Sequence, residues 1–249
     1  MKILLTNDDG VYAEGILSLE KELRKFADVM LVAPDREQSA SSHSFTLDRP
    51  LRLFQRRESH YSCDGTPTDC VMLGVHGILQ HKLPDLLISG INHGANMGED
   101  VTYSGTVAAA IEGSILGIPS IAVSNTDPDN FTSFKAAARF VAKFARQFNK
   151  FDLPVETFLN INLPKLKGTK FSKYRYTSLG NRIYNDIVIE KTDPRGRRYY
   201  WIAGESVWSD VAGSDFEAVS EGYVSISPLR VNFSSYETLA KMKNIKLRF

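Results

Sequence analysis

The first 164 residues switch repeatedly between two hydrophobic periods, and that alternation leaves few architectures open. Ile3-Leu4-Leu5 is a short apolar run closed by polar residues, which suits a strand buried on both faces. Ile16, Leu19, Leu23 and Phe26 follow at helical spacing, and Val29 to Val32 is apolar again, stopping at Ala33-Pro34-Asp35. After a polar loop, Leu51 to Cys63 reads as a hairpin. Thr66-Pro67 opens a helix with proline at its first position, and Val71, Val75 and Leu79 lie along it. Asp85 to Ile88 is the next expected strand, and a long Gly/Asn/Ser loop leads to a helix from about Val107 to Leu116. Ser120 to Val123 reads as a strand, Phe134 to Phe148 as an amphipathic helix and Thr157 to Leu163 as a further strand. Strands alternating with helices argue for a mostly parallel sheet covered on both faces. The expected fold is α/β and doubly wound, with a Rossmann-like sheet.

From Pro164 the texture changes to basic residues, aromatics and turns. Ile187-Val188-Ile189 and Tyr199 to Ile202 flank Asp193-Pro194-Arg195-Gly196, a hairpin signal, and a last helix is expected from about Tyr236 to Ile245. The expected division is an α/β body over 1–164 and an extension over 165–249. A hairpin and a lone helix bury little alone, so they must pack on the body or on another subunit. Charge follows the same division. The first 164 residues carry 15 Lys and Arg against 20 Asp and Glu, and the remaining 85 carry 15 against 9. The net charge of +1 argues against a stable nucleic-acid partner. No apolar run approaches the roughly 18 residues of a membrane span, and Met1 to Leu5 turns polar too soon for a signal peptide. Cys63 and Cys70 are too few and too widely spaced for a disulfide framework or a C-x-x-C site. The expectation is a cytoplasmic protein with both thiols reduced.

The most informative segment is Thr6-Asn7-Asp8-Asp9-Gly10, at the end of the first expected strand. In open α/β sheets ligands sit at the carboxyl ends of strands, and adjacent carboxylates there repel unless a cation or shared proton relieves them. The plainer alternative is that Asp8 caps the following helix and Asp9 is a solvated turn residue. The other strand ends favour the cation. One empties into Asp35 to Ser44, crowded with hydroxyls, and another into Ser89 to Gly98. Three crossovers thus bring Asp, Ser and Asn oxygens to one edge, a hard donor set suited to Mg²⁺, Mn²⁺ or Ca²⁺. Tyr103-Ser104-Gly105-Thr106 precedes a helix and can present backbone N–H groups to an anion; plain N-capping by Ser104 or Thr106 is the alternative. A cation beside an anion cradle points to phosphoryl chemistry.

Absent motifs narrow the field. There is no G-x-S-x-G elbow, no G-x-x-x-x-G-K-[ST] and no H-E-x-x-H. Gly90, Gly94 and Gly98 are spaced by four, which gives dinucleotide binding little support. Of the histidines, His43 and His93 fall in strand-end loops and are candidates for proton transfer, against a supporting or surface role.

Met1 to Gly10, Ala33-Pro34-Asp35-Arg36, Gly65 to Cys70, Ser89-Gly90-Ile91-Asn92 and Tyr103 to Thr106 together resemble the SurE (survival protein E) family of phosphatases and 5′-nucleotidases. The resemblance continues through Val207 to Asp210 and Gly222 to Leu229. It implies one divalent cation per subunit, Mg²⁺ or Mn²⁺, held by Asp8, Asp9, Ser39 and Asn92. It also implies phosphate contacts from Asn96, Ser104, Gly105 and Thr106, with Ser41 to Ser44 matching less securely. The implied activity is hydrolysis of nucleoside monophosphates with broad specificity, extending to short polyphosphates, in a homodimer or homotetramer joined by C-terminal elements. Asp9 is a candidate base or covalent nucleophile, and His43 or solvent a candidate proton donor to the leaving group. Two rival classes stay open: a metal-dependent deacetylase-like amide hydrolase, and a non-catalytic nucleotide or metal sensor.

Overall fold

A computed structural model describes residues 1–184, 187–203, 206–208 and 211–245. The chain begins with β1 (Lys2–Thr6), α1 (Glu14–Leu23), β2 (Asp28–Pro34), β3 (Leu53–Arg57) and β4 (His60–Cys63). Next come α2 (Pro67–Met72), which runs on into a π-helical turn over Leu73–Ile78, and β5 (Leu86–His93). A 3₁₀ turn over Gly98–Thr102 precedes α3 (Gly105–Ile115), β6 (Ser120–Asn125), α4 (Phe131–Ala145) and β7 (Thr157–Leu163). The rest comprises β8 (Tyr174–Tyr176), β9 (Arg182–Tyr184), β10 (Ile187–Thr192), β11 (Arg198–Ala203) and β12 (Ser206–Trp208), then α5 (Asp215–Ser220), β13 (Val224–Arg230) and α6 (Tyr236–Met242).

Nine strands form the central sheet in the order β3-β4-β2-β1-β5-β6-β7-β13-β8. The run from β4 to β7 is parallel throughout. Strand β3 is antiparallel to β4, and β13 antiparallel to β7. The alternation along β1 divides the core between two faces. Ile3 and Leu5 join Ile16, Leu19 and Leu23 of α1 and Phe134 and Val141 of α4; Leu4 joins Val71 of α2 and Ala109 of α3 on the opposite face. Each such fully buried Leu or Ile is worth about 1.5–3 kcal/mol. The sheet is doubly wound, as its sequence pattern requires.

The order reverses at β1, which has β2 on one side and β5 on the other. That reversal opens a crevice at the carboxyl ends of β1 and β5, where ligands bind in folds of this kind.

Several boundaries differ from the sequence reading. Strand β5 continues five residues past Ile88, to His93, because Ser89 to Asn92 keep pairing with β6 through an irregular register. Gly90 permits this: its φ is +136°, and a Cβ there would lie 2.4 Å from the Val123 carbonyl oxygen. Helix α3 begins at Gly105, before Val107, since Ser104 caps it by accepting from the Val107 N–H at 3.1 Å. Helix α4 begins at Phe131 under an Asn130 cap and ends at Ala145 rather than Phe148. Helix α1 stops at Leu23, leaving Phe26 outside it. The hairpin appears as β10 and β11 paired from Ile187↔Ala203 to Thr192↔Arg198. Strand β13 and helix α5 were not read from the sequence. Of the segments similar to the SurE family, Ser209 and Asp210 lie outside the described residues.

Candidate active site

The chain leaves β1 at Thr6 and turns at once. The Asn7 side-chain amide donates to the Gly10 carbonyl at 2.9 Å, and Gly10 takes φ +101°, which glycine adopts without strain. This turn holds Asp8 and Asp9 in the crevice. Asp8 is only 4% exposed, and its carbonyl accepts from the Gln38 N–H at 2.8 Å, joining the β1 turn to the loop after β2. Asp8 Oδ1 accepts a short hydrogen bond from the Thr106 hydroxyl at the start of α3. Asp9 Oδ2 accepts from the His93 N–H at 3.2 Å, at the end of β5. The three crossovers therefore meet at the acidic pair.

Burial is the main force on both carboxyls. It lifts Asp8 above the ordinary carboxylate range, and bonds from the Thr106 hydroxyl and backbone only partly offset this. Asp9 is pushed up to about 7, by burial first and by the neighbouring Asp8 charge second. Two adjacent carboxyls, one buried and one half-buried, that disfavour their own charges favour a bound cation. Ser39 and Asn92 line the same cavity of about 200 Å³ as Asp8 and Asn96. The Asn92 nitrogen donates to the Gly94 carbonyl at 3.0 Å, so its Oδ1 is the atom that could face a cation. The Ser39 hydroxyl donates to Glu37 at 2.6 Å and keeps its oxygen lone pairs for a cation. Among the described residues no group of three or more His, Cys, Asp or Glu could hold a metal ion. The donors present, two carboxylates and neutral oxygens, fit a hard divalent cation with open positions.

The helix start is crowded against this pair. A Cβ on Gly105 would lie 2.6 Å from the Ser41 hydroxyl and 2.9 Å from the Asp8 Cβ. Ser41 Oγ is buried without a hydrogen-bond partner, and its neighbours Ala40 and Ser42 both take positive φ. Thr106 is fully buried and turned toward Asp8, while Ser104 keeps its hydroxyl proton free after accepting from Val107. Asn96 sits on the rim, its nitrogen donating to the Ser124 hydroxyl at 2.7 Å.

The histidines separate. His93 lines the cavity, its ring lies 4.6 Å from that of Phe134, and burial lowers its pKa. His43 instead faces Glu112 in the middle of α3, with Nε2 2.8 Å from Oε2. The sequence reading passed over four contributors. Glu37 adds negative potential to both aspartates. Asn160 and Asn162 hold the Asn96 backbone. Asp215 of α5 accepts from the Gly98 and Gly180 N–H groups at 2.9 and 2.8 Å, tying the extension to the site loop. One signal was available for the asparagines: two amides at i and i+2 in an otherwise apolar strand.

Fold and site together define the class: an enzyme of the doubly wound α/β type, with an acidic, oxygen-lined pocket suited to hydrolysis of an anionic substrate. Comparison with known proteins narrows this. Residues 3–186 match the family model described as survival protein SurE. The chain is 49% identical over 240 residues to a 5′-nucleotidase SurE of Pelobacter propionicus, covering 96% of this chain and 97% of that one. It is 48% identical over 244 residues to a 5′-nucleotidase SurE of Geotalea uraniireducens, covering 98% of each. The crystal structure of the SurE protein from Aquifex aeolicus superposes with a TM-score of 0.88 at 41% identity, covering 98% of each chain. The chain belongs to the SurE family.

Proposed function

We propose that this chain is a divalent-cation-dependent phosphomonoesterase that hydrolyses nucleoside monophosphates to nucleoside and phosphate. The observation that carries the reading is the Asp8–Asp9 pair at the switch point, Asp8 buried and Asp9 half-buried, directly before the N-terminus of α3. Relatives named 5′-nucleotidase over nearly the whole chain support the substrate class. Asp8, Asp9, Ser39 and Asn92 hold one cation, Mg²⁺ or Mn²⁺. When bound there, the cation supplies positive charge to the phosphoryl group and makes water more acidic. Asn96, the Ser104 hydroxyl and the Gly105 and Thr106 amides hold phosphoryl oxygens as charge shifts to the leaving group. Asp9 orients the attacking water. His43 reaches the leaving group only by breaking its bond to Glu112, so solvent is the favoured proton source.

Broad nucleotide use, extending to short polyphosphates, suits a site whose built contacts all address the phosphoryl end. Residues 1–164 form the catalytic body, and 165–249 the extension through which copies of the chain assemble into a dimer or tetramer. Support for assembly lies in α6, which buries no residue of its own, and in the exposed Tyr236, Leu239 and Met242 on it and Phe233 and Ile245 on either side of it. No helix among the described residues is long and apolar enough to cross a membrane. Free, buried Cys63 and Cys70 suit a reducing cytoplasm.

The test is phosphate release from a panel of nucleoside monophosphates with Mg²⁺ or Mn²⁺. Release that chelator abolishes and added cation restores is the expected result. Acetate release from acetylated sugars instead points to the amide hydrolase, and tight nucleotide binding without turnover points to the sensor.

A further inference from the structure

We propose that Asn160 and Asn162 are positioning residues for Asn96, a role that rests on the phosphoryl-binding function assigned to Asn96 above. Strand β7 is buried along its whole length, and both asparagines are 0% exposed. An amide is unfavourable there unless its hydrogen bonds are made. Those bonds go to one residue. Asn162 Oδ1 accepts from the Asn96 N–H at 2.9 Å, and Asn162 Nδ2 donates to the Asn96 carbonyl at 2.9 Å. A single side chain thus closes a ring on both polar groups of one peptide residue. Asn160 Nδ2 donates to the same carbonyl at 2.8 Å.

The neighbouring strand completes the hold. Ser124 on β6 is the register partner of Asn162 on β7, and its hydroxyl accepts from Asn96 Nδ2 at 2.7 Å. Asn96 lies between β5 and the 3₁₀ turn, in no strand or helix, so these side chains take the place of a sheet ladder. They fix its backbone and one edge of its side chain beside the cavity it lines.

Asn160 Oδ1 shows that stability alone does not account for the arrangement. It is buried with no hydrogen-bond partner, an unfavourable state for an amide oxygen. Asn160 therefore contributes one useful bond, the one to Asn96. A site residue held within a fraction of an ångström is what tight phosphoryl recognition requires.

The experiment compares wild type, Asn162→Leu and Asn160→Ala as full-length, metal-loaded proteins. Three readouts are taken: steady-state hydrolysis of a nucleoside monophosphate, Mn²⁺ affinity by calorimetry, and thermal unfolding. Asn162→Leu removes both ring bonds without changing side-chain size much. Its KM should rise at least tenfold, with a smaller change in kcat and with Mn²⁺ affinity within twofold of wild type. Asn160→Ala should raise KM about threefold. If Asn162→Leu does not fold, Asn160→Ala decides on the same criteria. Folded variants with unchanged KM overturn the role, and so does a loss of Mn²⁺ affinity parallel to the loss of substrate affinity. A wild-type chain that releases no phosphate overturns the phosphatase reading and this role with it.

Discussion

Asp8 and Asp9 illustrate how little local sequence a site needs when it follows a strand in the middle of a parallel sheet. Once β1 was read as buried on both faces, the next residues had to emerge at its carboxyl end. The position of the acidic pair was legible for that reason, and so was the capping position of Ser104 before α3. Asn160 and Asn162 were not assigned, because their partner lies 64 and 66 residues earlier and only the β5–β6–β7 order brings them together. Gly105 shows the same limit. Its lack of a side chain has meaning only once Ser41 and Asp8 are seen to converge on it. Gly105→Ala should destabilise the protein by about 1–3 kcal/mol through overpacking and reduce turnover at least tenfold, as measured by urea unfolding and phosphate release.

The acidic pair also predicts a pH dependence. In the metal-free protein both carboxyls have folded-state pKa values raised above their unfolded ones, Asp9 to about 7. The folded state then binds more protons than the unfolded state, so the pair's contribution is present near pH 4 and is lost as pH rises through 7. Asp9→Asn removes one of these groups. In chelator, wild type should lose stability relative to Asp9→Asn by up to about 1.4 kcal/mol per pH unit across that window. Equal slopes in urea titrations contradict the assignment.

At the scale of elements, the alternation of periods specified the helices and strands of the body well and their ends less well. Strand β5 ran past its apolar stretch because Gly90 and the irregular register let polar residues stay in the ladder. That extension carries Asn92 and His93 into the site. Strand β13 escaped notice for a different reason. Val224 to Ser227 do alternate apolar and polar, but the alternation stops at Pro228 after four residues and so is too short to mark a strand, although all four are buried. Helix α1 packs so closely on β5 that a Cβ on Gly15 would lie 2.0 Å from the Ile91 carbonyl oxygen. Gly15→Ala should therefore cost about 3 kcal/mol or more, well beyond an ordinary helical Gly→Ala change. A shift in the urea midpoint with an unchanged slope is the expected signature.

The whole molecule returns to the charge division between the body and the segment after Pro164. Part of the acidic excess is now placed around the cavity, as Asp8, Asp9, Glu37 and Asp100. Part of the basic excess is paired locally, Arg198 with Glu190 at 3.4 Å and Lys241 with Glu237 at 2.5 Å. Those pairs are exposed and individually weak. The exposed apolar residues of the arm carry more of the case for assembly than its charges do. Deleting residues 236–249 should lower the mass seen by light scattering while leaving the subunit folded, since α6 has no buried residue. An unchanged mass contradicts an arm-mediated contact.

Cation binding links this scale back to the first. A ligand at 100 times its Kd stabilises the folded state by about 2.7 kcal/mol, roughly 5–10 °C in Tm for a chain of this size. The most direct test of the Asp8–Asp9 cation site compares wild type with Asp9→Asn. Both are first shown to be folded, and metal-dependent phosphate release is then measured alongside the Mn²⁺-induced shift in Tm. Wild type should show a clear shift and turnover, and Asp9→Asn should lose the shift with turnover reduced at least a hundredfold. Turnover within twofold of wild type in folded Asp9→Asn protein would contradict that site.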